Sequence, residues 1–452
     1  MATTITPRTL KGFRDYLPAD MAPRQAMIRA IEDAFARHGF VPIDTPALEY
    51  AEILAGKYGE EGDKLLYQFK DHGDRDVALR YDLTVPLARL VGQHRGELQL
   101  PLRRYHVAPV WRADKPQRGR FREFMQCDAD IVGSQSALAD AEILVTGLGV
   151  LQALGLDGAQ LHLNHRQVLF ALLEAAGVRD EASQLGCVRA LDKLDKIGNA
   201  SVKAELGRVD GVTPEVAIAV LDHFDGGVTR SVEAVRALVA ASLDPAAAER
   251  HDAAFERLTD VLDLVEAAGF GDTVVFDPTI ARGLDYYTGI IYETRLTDPR
   301  VASMGAVMSG GRYDSLIGMF SKEDVPAVGI SVGLDRLLAA LNELERVPGG
   351  PSGAQVYVTV FAEDYAAAAL RLAQTLRRAG LRVEVHTNGG KLGKQLGRAG
   401  KRGCRFAIVA GPDEAAEGVA VLRDLEASSQ DRLPVGELAG QIQARLDAPA
   451  VG

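Results

Sequence analysis

Cysteine is scarce in this 452-residue sequence: Cys127, Cys187 and Cys404 stand far apart, with no Cys-x-x-Cys pair. Such spacing supports neither a disulfide framework nor a structural zinc site, and the three read as reduced packing residues. Long apolar runs are missing too. The longest uncharged one, 143–156, is 14 residues interrupted by Gly147, Gly149 and Gly155, short of the roughly 20 that a bilayer span needs. Residues 1–11 hold no apolar stretch and no Arg-rich amphipathic pattern, so neither export nor import is expected and the cytoplasm is the default. Positive charge is in deficit: 51 Lys plus Arg against 62 Asp plus Glu give −11. That excludes non-specific coating of a polyanion but leaves room for a local basic patch. A Gly-x-x-x-x-Gly-Lys-Ser/Thr loop, a Gly-x-Gly-x-x-Gly helix start and a His-Glu-x-x-His pair are all absent, which removes three common site types.

What remains is ordinary globular text, 47% apolar and 25% charged, long enough for two to four domains. Residues 23–38 carry Ile28, Ile31, Phe35 and His38 at helical spacing, with Asp20 upstream as a cap and Gly39 where a left-handed residue ends a helix. Pro42 and Pro46 then bound extended text that suits a sheet edge, a strand end or a subunit boundary. Residues 76–132 read as strands. Residues 177–269 read almost wholly as helix and carry no chemistry we can assign, which predicts an inserted helical subdomain. Strand text returns over 273–332, and a helix follows from Leu334. The run 347–353 is the clearest linker; beyond it strands and helices alternate as β-α-β-α-β, a separate α/β domain.

The richest segment is Tyr105 to Arg112, a polar loop to Arg120, and Phe121 to Gly133. Two strands are implied, and a period of two puts Arg122, Phe124, Gln126, Asp128 and Asp130 on one face of the second, with Phe121, Met125, Cys127 and Ile131 on the other. If the strands pair antiparallel, Arg112 joins the polar face and sets a bidentate phosphate-binding group beside an aromatic ring and an amide–carboxylate pair. The same alternation suits the wet side of an antiparallel sheet, and spacing does not choose between them. Asp82 and Thr84 in Arg80-Tyr-Asp-Leu-Thr84 share a strand face on this reading and can hold an ammonium group. His162 and His165 read as surface or hydrogen-bonded histidines rather than metal ligands. No metal ligand is assigned.

Arg282, Tyr286 and Tyr287, between Gly283 and Gly289, do not fit simple strand packing. Pro326 to Arg336 is a strand entering a helix whose first turn bears Arg336, either a polyphosphate clamp or half of a salt bridge with Asp335. Late in the chain Lys391, Lys394, Arg398, Lys401, Arg402 and Arg405 fall on one helical arc, opposite Leu392, Leu396 and Ala399. That stripe is a phosphate footprint or a solvated basic face, and four glycines from 393 to 403 weaken its helix.

Together these motifs resemble the histidine–tRNA ligase family of class II aminoacyl-tRNA synthetases over essentially the whole chain. Residues 39–49 look like its first class II motif, 105–133 like the second and 327–337 like the third, while Ala281-Arg-Gly-Leu-Asp-Tyr-Tyr-Thr-Gly289 is similar to its histidine signature. The resemblance implies a class II catalytic domain on a mainly antiparallel sheet over 1–345, interrupted by a helical insertion at about 177–269. A linker at 346–354 and an α/β anticodon-binding domain at 355–452 would follow. It implies ATP and Mg²⁺ as cofactors, L-histidine and the cognate tRNA as substrates, and a homodimer. Arg112 and Arg282 would be catalytic, both touching histidine, and Arg112 would also bind the ATP α-phosphate. Asp82 and Thr84 would take the α-amino group, and Gln126, Asp130, Tyr286 and Tyr287 would line the ring pocket. Phe124 would stack on adenine, with Arg120 and Arg336 on the triphosphate. Gln117, Arg118, Lys391, Lys394, Arg398, Lys401 and Arg402 would meet tRNA. Asp82 and Asp130 stand where many relatives carry glutamate, which keeps the charge and shortens its reach. The alternative is a catalytically silent relative that regulates histidine biosynthesis, against which the intact Arg282–Tyr287 signature and the extra basic domain argue.

Overall fold

The first amphipathic pattern folds as a helix, Pro18–Arg37, starting at Pro18 rather than at Pro23. Pro23 is accommodated near the N-terminal end, where its ring forfeits one early backbone hydrogen bond and leaves the rest of the ladder intact. Met27, Ile28, Ile31, Ala34 and Phe35 bury one face, and Gly39 at φ 77° ends the run. The computed structural model describes residues 5–58, 62–115, 121–224, 231–281, 286–347 and 353–447. Among them no helix is long and apolar enough to cross a membrane. Two units divide the chain, Met1–Asp15 with Arg24–Pro348, and Tyr16–Pro23 with Gly349–Gly452.

In the first unit the strands are β1 (Val41–Pro42), β2 (Leu48–Tyr50), β3 (Gln68–Lys70), β4 (Asp76–Leu79), β5 (Leu102–Trp111), β6 (Glu123–Val132), β7 (Ala159–His165), β8 (Val274–Phe276), β9 (Ile290–Leu296), β10 (Met308–Arg312) and β11 (Ala327–Gly333). Among the described residues eight of them form one sheet in the order β1-β5-β6-β11-β10-β9-β7-β8, and β2-β4-β3 form another. From β5 to β7 in that order every pairing is antiparallel, and the two outermost, β1 with β5 and β7 with β8, are parallel. The expected mainly antiparallel sheet is present. The proline-bounded strand takes its edge, where a missing N–H costs no ladder bond.

One expectation over 76–132 fails. Strand β4 stops at Leu79, and Thr84–Gln93 is a helix. The reason lies at Asp82, whose Oδ1 accepts the Val85 amide at 3.1 Å, as a capping carboxylate does. Val85, Leu87, Ala88 and Val91 then bury the helix in the core beside Leu54 and Ala78.

Helices Glu181–Leu191, Leu194–Leu206, Pro214–Phe224, Val232–Ser242, Pro245–Glu249 and Asp252–Ala267 lie in sequence between β7 and β8. Leu191, Val202, Leu206, Val220, Phe224, Val235 and Val239 share one apolar cluster with the sheet residues Cys127, Leu161 and Ile330.

The second unit contains β12 (Val356–Val358), β13 (Val383–Val385), β14 (Phe406–Val409), β15 (Val419–Asp424) and β16 (Ser429–Pro434) in the order β13-β12-β14-β15-β16. The first three are parallel, as the alternating text implies. An antiparallel hairpin, β15–β16, extends the sheet beyond that expectation. Its second strand is mostly exposed, so no apolar alternation announces it.

Candidate active site

Strands β5 and β6 pair from Leu102↔Val132 to Trp111↔Glu123. That register puts Arg104, His106, Ala108 and Val110 on the same side as Phe124, Gln126, Asp128 and Asp130, while Cys127, Ala129 and Ile131 enter the core. The polar side is buried: Gln126 is 8% exposed, Asp128 and Asp130 2%, and Arg104 0%. A wet outer face is thereby excluded.

The buried polar groups hold one another. Asp130 Oδ1 accepts a hydrogen bond from the Tyr313 hydroxyl, and its Oδ2 lies 2.5 Å from Arg104 Nη2. Burial raises its pKa, with Arg104 and Tyr313 opposing. The Asp128 carboxyl is pushed up to about 7, by burial first and by Asp130 as well, with Arg104 and the Ser331 hydroxyl opposing. Gln126 Nε2 donates to Ser331 Oγ at 2.7 Å. Strand β11 runs beside β6 with Ser331 opposite Asp128 and Gly329 opposite Asp130. A Cβ at Gly311 would meet the Tyr287 ring, so its glycine lets the backbone approach a pocket side chain.

Asp82 and Thr84 lie close together, on a turn and a helix start rather than on the strand face expected for them. Asp82 Oδ1 accepts from the Tyr58 hydroxyl at 3.1 Å, and its Oδ2 has no hydrogen-bond partner in the protein. Burial raises the Asp82 pKa, while the Val85 amide and Arg112 pull the other way. Tyr286, also buried, hydrogen-bonds Thr84 and feels the Asp82 charge. Its ring stands edge-on to Tyr287 at 5.1 Å and to Tyr313 at 5.9 Å.

Arg112 lies beside this cluster, close enough for its charge to act on Asp82 and Tyr287. Its guanidinium lies 4.3 Å over the Tyr81 ring and 5.1 Å from the Phe124 ring, and Nε donates to the Tyr81 carbonyl at 3.1 Å. Phe124 packs on Leu83, Ala108 and Val110. Stacked planar cations of this kind are poorly replaced by lysine.

Arg336 sits in the first turn of the helix Leu334–Glu343, exposed, with Nη1 donating to the Ala306 carbonyl at 2.5 Å. Asp335 uses its carboxylate elsewhere, on Arg24 Nη1 at 2.5 Å, on Arg14, and on the Met125 amide at 3.1 Å. That network ties the helix to β6. Arg120, Gln117, Arg118 and Arg282 lie outside the described residues.

The basic arc of the second unit forms the helix Leu392–Lys401 in spite of its glycines. Its anchor differs from expectation: Gln395 is buried, bonded to both the amide and the carbonyl of Val360, whereas Leu392 is exposed. Ala399 is buried and Leu396 packs against the same cluster, as the spacing suggested, so the satisfied amide stands in for Leu392 alone. Lys391, Lys394 and Lys401 are exposed, Arg398 is half-buried, and Arg402 pairs with Glu384 at 3.1 Å.

His162 and His165 are both buried, so the surface reading fails and the hydrogen-bonded one holds. His162 Nδ1 lies 2.9 Å from Asp277, and His165 Nδ1 accepts the Gln167 amide to cap a helix. Among the described residues no three His, Cys, Asp or Glu side chains form a metal-holding group. Arg104, Tyr58, Tyr81 and Tyr313 escaped the sequence reading as site residues. Arg104 shares Arg112's parity on β5 and was findable by that alone; the others needed the tertiary structure.

A family model described as histidyl-tRNA synthetase matches residues 12–337, and one described as an anticodon binding domain matches 355–445. A curated protein named histidine–tRNA ligase from Rhodopirellula baltica is 45% identical over 94% of this chain and 95% of its own. One of that name from Treponema denticola is 38% identical over 98% and 99%. A crystal structure of histidyl-tRNA synthetase from Nostoc sp. PCC 7120 superposes with a TM-score of 0.84 at 33% identity, covering 98% of this chain and all of that one.

Proposed function

The chain belongs to the histidyl-tRNA synthetase family, and from that premise we propose that it ligates L-histidine to its cognate tRNA, using ATP, through a histidyl-adenylate. The single observation that carries the reading is the burial of Gln126, Asp128 and Asp130 on one strand face, with Arg112 stacked on Tyr81 and Phe124 and its charge acting on Asp82 and Tyr287. The regulatory alternative finds no support in relatives that carry the ligase name over nearly their whole length.

In the first step an oxygen of the histidine carboxylate attacks the α-phosphorus of ATP, and the bond to the departing pyrophosphate breaks. Charge on the α-phosphoryl oxygens calls for fixed cations, and preorganised guanidinium groups supply them without reorganisation. Arg112 does so from its stacked position. Arg282 is assigned the same task on the family signature alone, and Arg120 and Arg336 are assigned the triphosphate. Phe124 offers its ring to adenine. Asp82 holds the α-ammonium through the Oδ2 that the protein leaves unpaired, with the Thr84 hydroxyl beside it. Gln126, Asp130, Tyr286 and Tyr287 surround the imidazole ring. In the second step a hydroxyl of the terminal ribose of tRNA attacks the histidyl carbonyl carbon and AMP leaves.

Asp130 faces the Arg104 guanidinium and the Tyr313 hydroxyl, and among the described residues no three His, Cys, Asp or Glu side chains gather, so the residues present do not fit a resident metal. Mg²⁺ therefore enters with ATP, as part of the substrate. Residues 1–345 form the catalytic domain around the helical insertion at about 177–269. Residues 355–452, after the linker 346–354, form the anticodon-binding domain. Lys391, Lys394, Arg398, Lys401 and Arg402 meet tRNA phosphates there, and Gln117 and Arg118 meet the acceptor end. The protein works in the cytoplasm as a homodimer, joined where Val41, Leu48, Tyr50 and Phe69 expose apolar side chains.

ATP–pyrophosphate exchange without tRNA, run with histidine and each other standard amino acid, tests the reading. Exchange with histidine alone, lost in Arg282→Ala, is expected. Folded protein that binds ATP but gives no exchange would overturn it.

A further inference from the structure

Two carboxylates share the pocket face of β6, and their surroundings differ. Asp130 accepts a hydrogen bond from the Tyr313 hydroxyl at Oδ1, and its Oδ2 is ion-paired with Arg104 Nη2 at 2.5 Å while lacking a hydrogen-bond partner in the protein. Asp128 is as deeply buried, yet its Oδ1 has no hydrogen-bond partner in the protein, and its partner among side chains is the Ser331 hydroxyl. Beside it the Gln126 Oε1 is unpaired as well, because the amide nitrogen of that side chain is spent on Ser331. Tyr287, which lines the pocket, feels the charges of both Asp130 and Asp128. An unpaired buried acceptor is costly, so acceptors left unpaired at neighbouring positions of one strand face mark where a donor-bearing ligand belongs.

We propose that Asp128 is a further substrate contact and specificity residue, its carboxyl group meeting one nitrogen of the substrate imidazole while Asp130 meets the other. The proposal rests on the ligase reading. A neutral imidazole offers one N–H and one bare nitrogen. Two ionised carboxylates cannot both be satisfied by it. One added proton resolves the mismatch, whether it stays on Asp128 and is donated to the bare nitrogen or moves to the ring and is accepted from it. The proton count is the same in both arrangements, and no bond other than N–H or O–H changes.

The charges around Asp128 favour this. Arg104 offsets one carboxylate of the pair, leaving the other to take the proton. Asp82 is assigned to the ammonium group. His106, opposite Asp128 in the strand register, is held near 4 by burial and by Arg104 and Arg80, so it stays neutral and adds no competing charge. With the Asp128 carboxyl near 7, the proton is available at neutral pH. A ring lacking or blocking either nitrogen leaves a buried carboxyl group unpaired, which is the condition under which a polar pocket discriminates strongly.

The test uses the full-length protein in ATP–pyrophosphate exchange, comparing wild type with Asp128→Ala and Asp128→Asn after confirming each by thermal denaturation. In Asp128→Ala the KM for histidine should rise about 10- to 100-fold. The KM for ATP should stay within about twofold. Asp128→Asn, whose amide can still donate to a bare nitrogen, should lose less. Discrimination against histidine methylated on either ring nitrogen should fall about tenfold or more in Asp128→Ala. A variant that melts like wild type with unchanged histidine KM and unchanged discrimination overturns the proposal.

A measurement on wild type alone guards against a variant that fails to fold. Calorimetric titration with histidine at pH 8, in buffers of different ionisation enthalpy, should report uptake of close to one proton, and no uptake would overturn the proposal. Wild type that gives no exchange with histidine would instead remove the ligase reading on which it rests.

Discussion

Gly329 on β11 stands directly opposite Asp130 on β6, and a Cβ at that glycine would overlap the Asp130 Oδ1. The carboxylate therefore occupies space that any other residue would fill. Gly329→Ala should push Asp130 off Arg104 and Tyr313 and destabilise the fold by about 1–3 kcal/mol. Denaturant unfolding measures the loss, and histidine-dependent exchange should weaken with it. Full stability and full activity together would show that the carboxylate has another place to go.

Asp335 carries the charge balance between the helix Leu334–Glu343 and Arg24, which is 3% exposed. Removing it leaves a buried guanidinium with its main counter-charge gone. Asp335→Ala should cost about 3–5 kcal/mol in chemical denaturation. A loss under about 1 kcal/mol would show that Arg14 and Arg24 find water or other acceptors.

Arg112 acts through shape as well as charge. Arg112→Lys keeps the cation but loses the planar stack over Tyr81 and Phe124 and the fork that grips two oxygens. We expect adenylate formation to slow by about 10²- to 10³-fold. Single-turnover kinetics separate that from weaker ATP binding.

His165 gives the fold an acid sensitivity of known sign. Its ring is held near 3 by burial first, then by Arg257 and Arg312, and its Nδ1 must stay unprotonated to cap the helix Arg166–Ala175. The unfolded chain takes up a proton near 6.5 and the folded one does not, so stability is full above that value and is lost as pH falls towards 3. The slope approaches about 1.4 kcal/mol per pH unit. Asp128, whose folded value is raised, works in the opposite direction between about 4 and 7. His165→Asn, which retains a cap, should remove the histidine share. Melting temperatures of the two proteins from pH 7 to pH 4.5 should converge as the pH falls.

The basic arc of the second unit predicts a salt signature. Replacing Lys391, Lys394 and Lys401 together with glutamine should raise the KM for tRNA and reduce its logarithmic salt dependence by about one unit per lost phosphate contact. An unchanged slope would return that arc to the status of a solvated face.

Much of this molecule is decided by periodicity alone. The period of two along 121–132 separates Gln126, Asp128 and Asp130 from Cys127 and Ile131, and the alternation after residue 355 implies the parallel strands β12–β14. Such patterns are local, because backbone geometry repeats every two residues in a strand. What no local pattern carries is which side of a sheet is covered. The face of β6 is a pocket because β5 and β11 bring Arg104 and Ser331 against it and the Tyr286, Tyr287 and Tyr313 rings crowd the same space. Asp82 lies beyond periodicity for a related reason: the same residue types suit a strand edge or a helix cap, and burial of Leu87 and Val91 selects the helix. Residue types and their spacing along the chain settle which side chains can do chemistry. Which carboxylate oxygens find partners is settled by the fold, because hydrogen-bond satisfaction depends on neighbours supplied from distant parts of the chain.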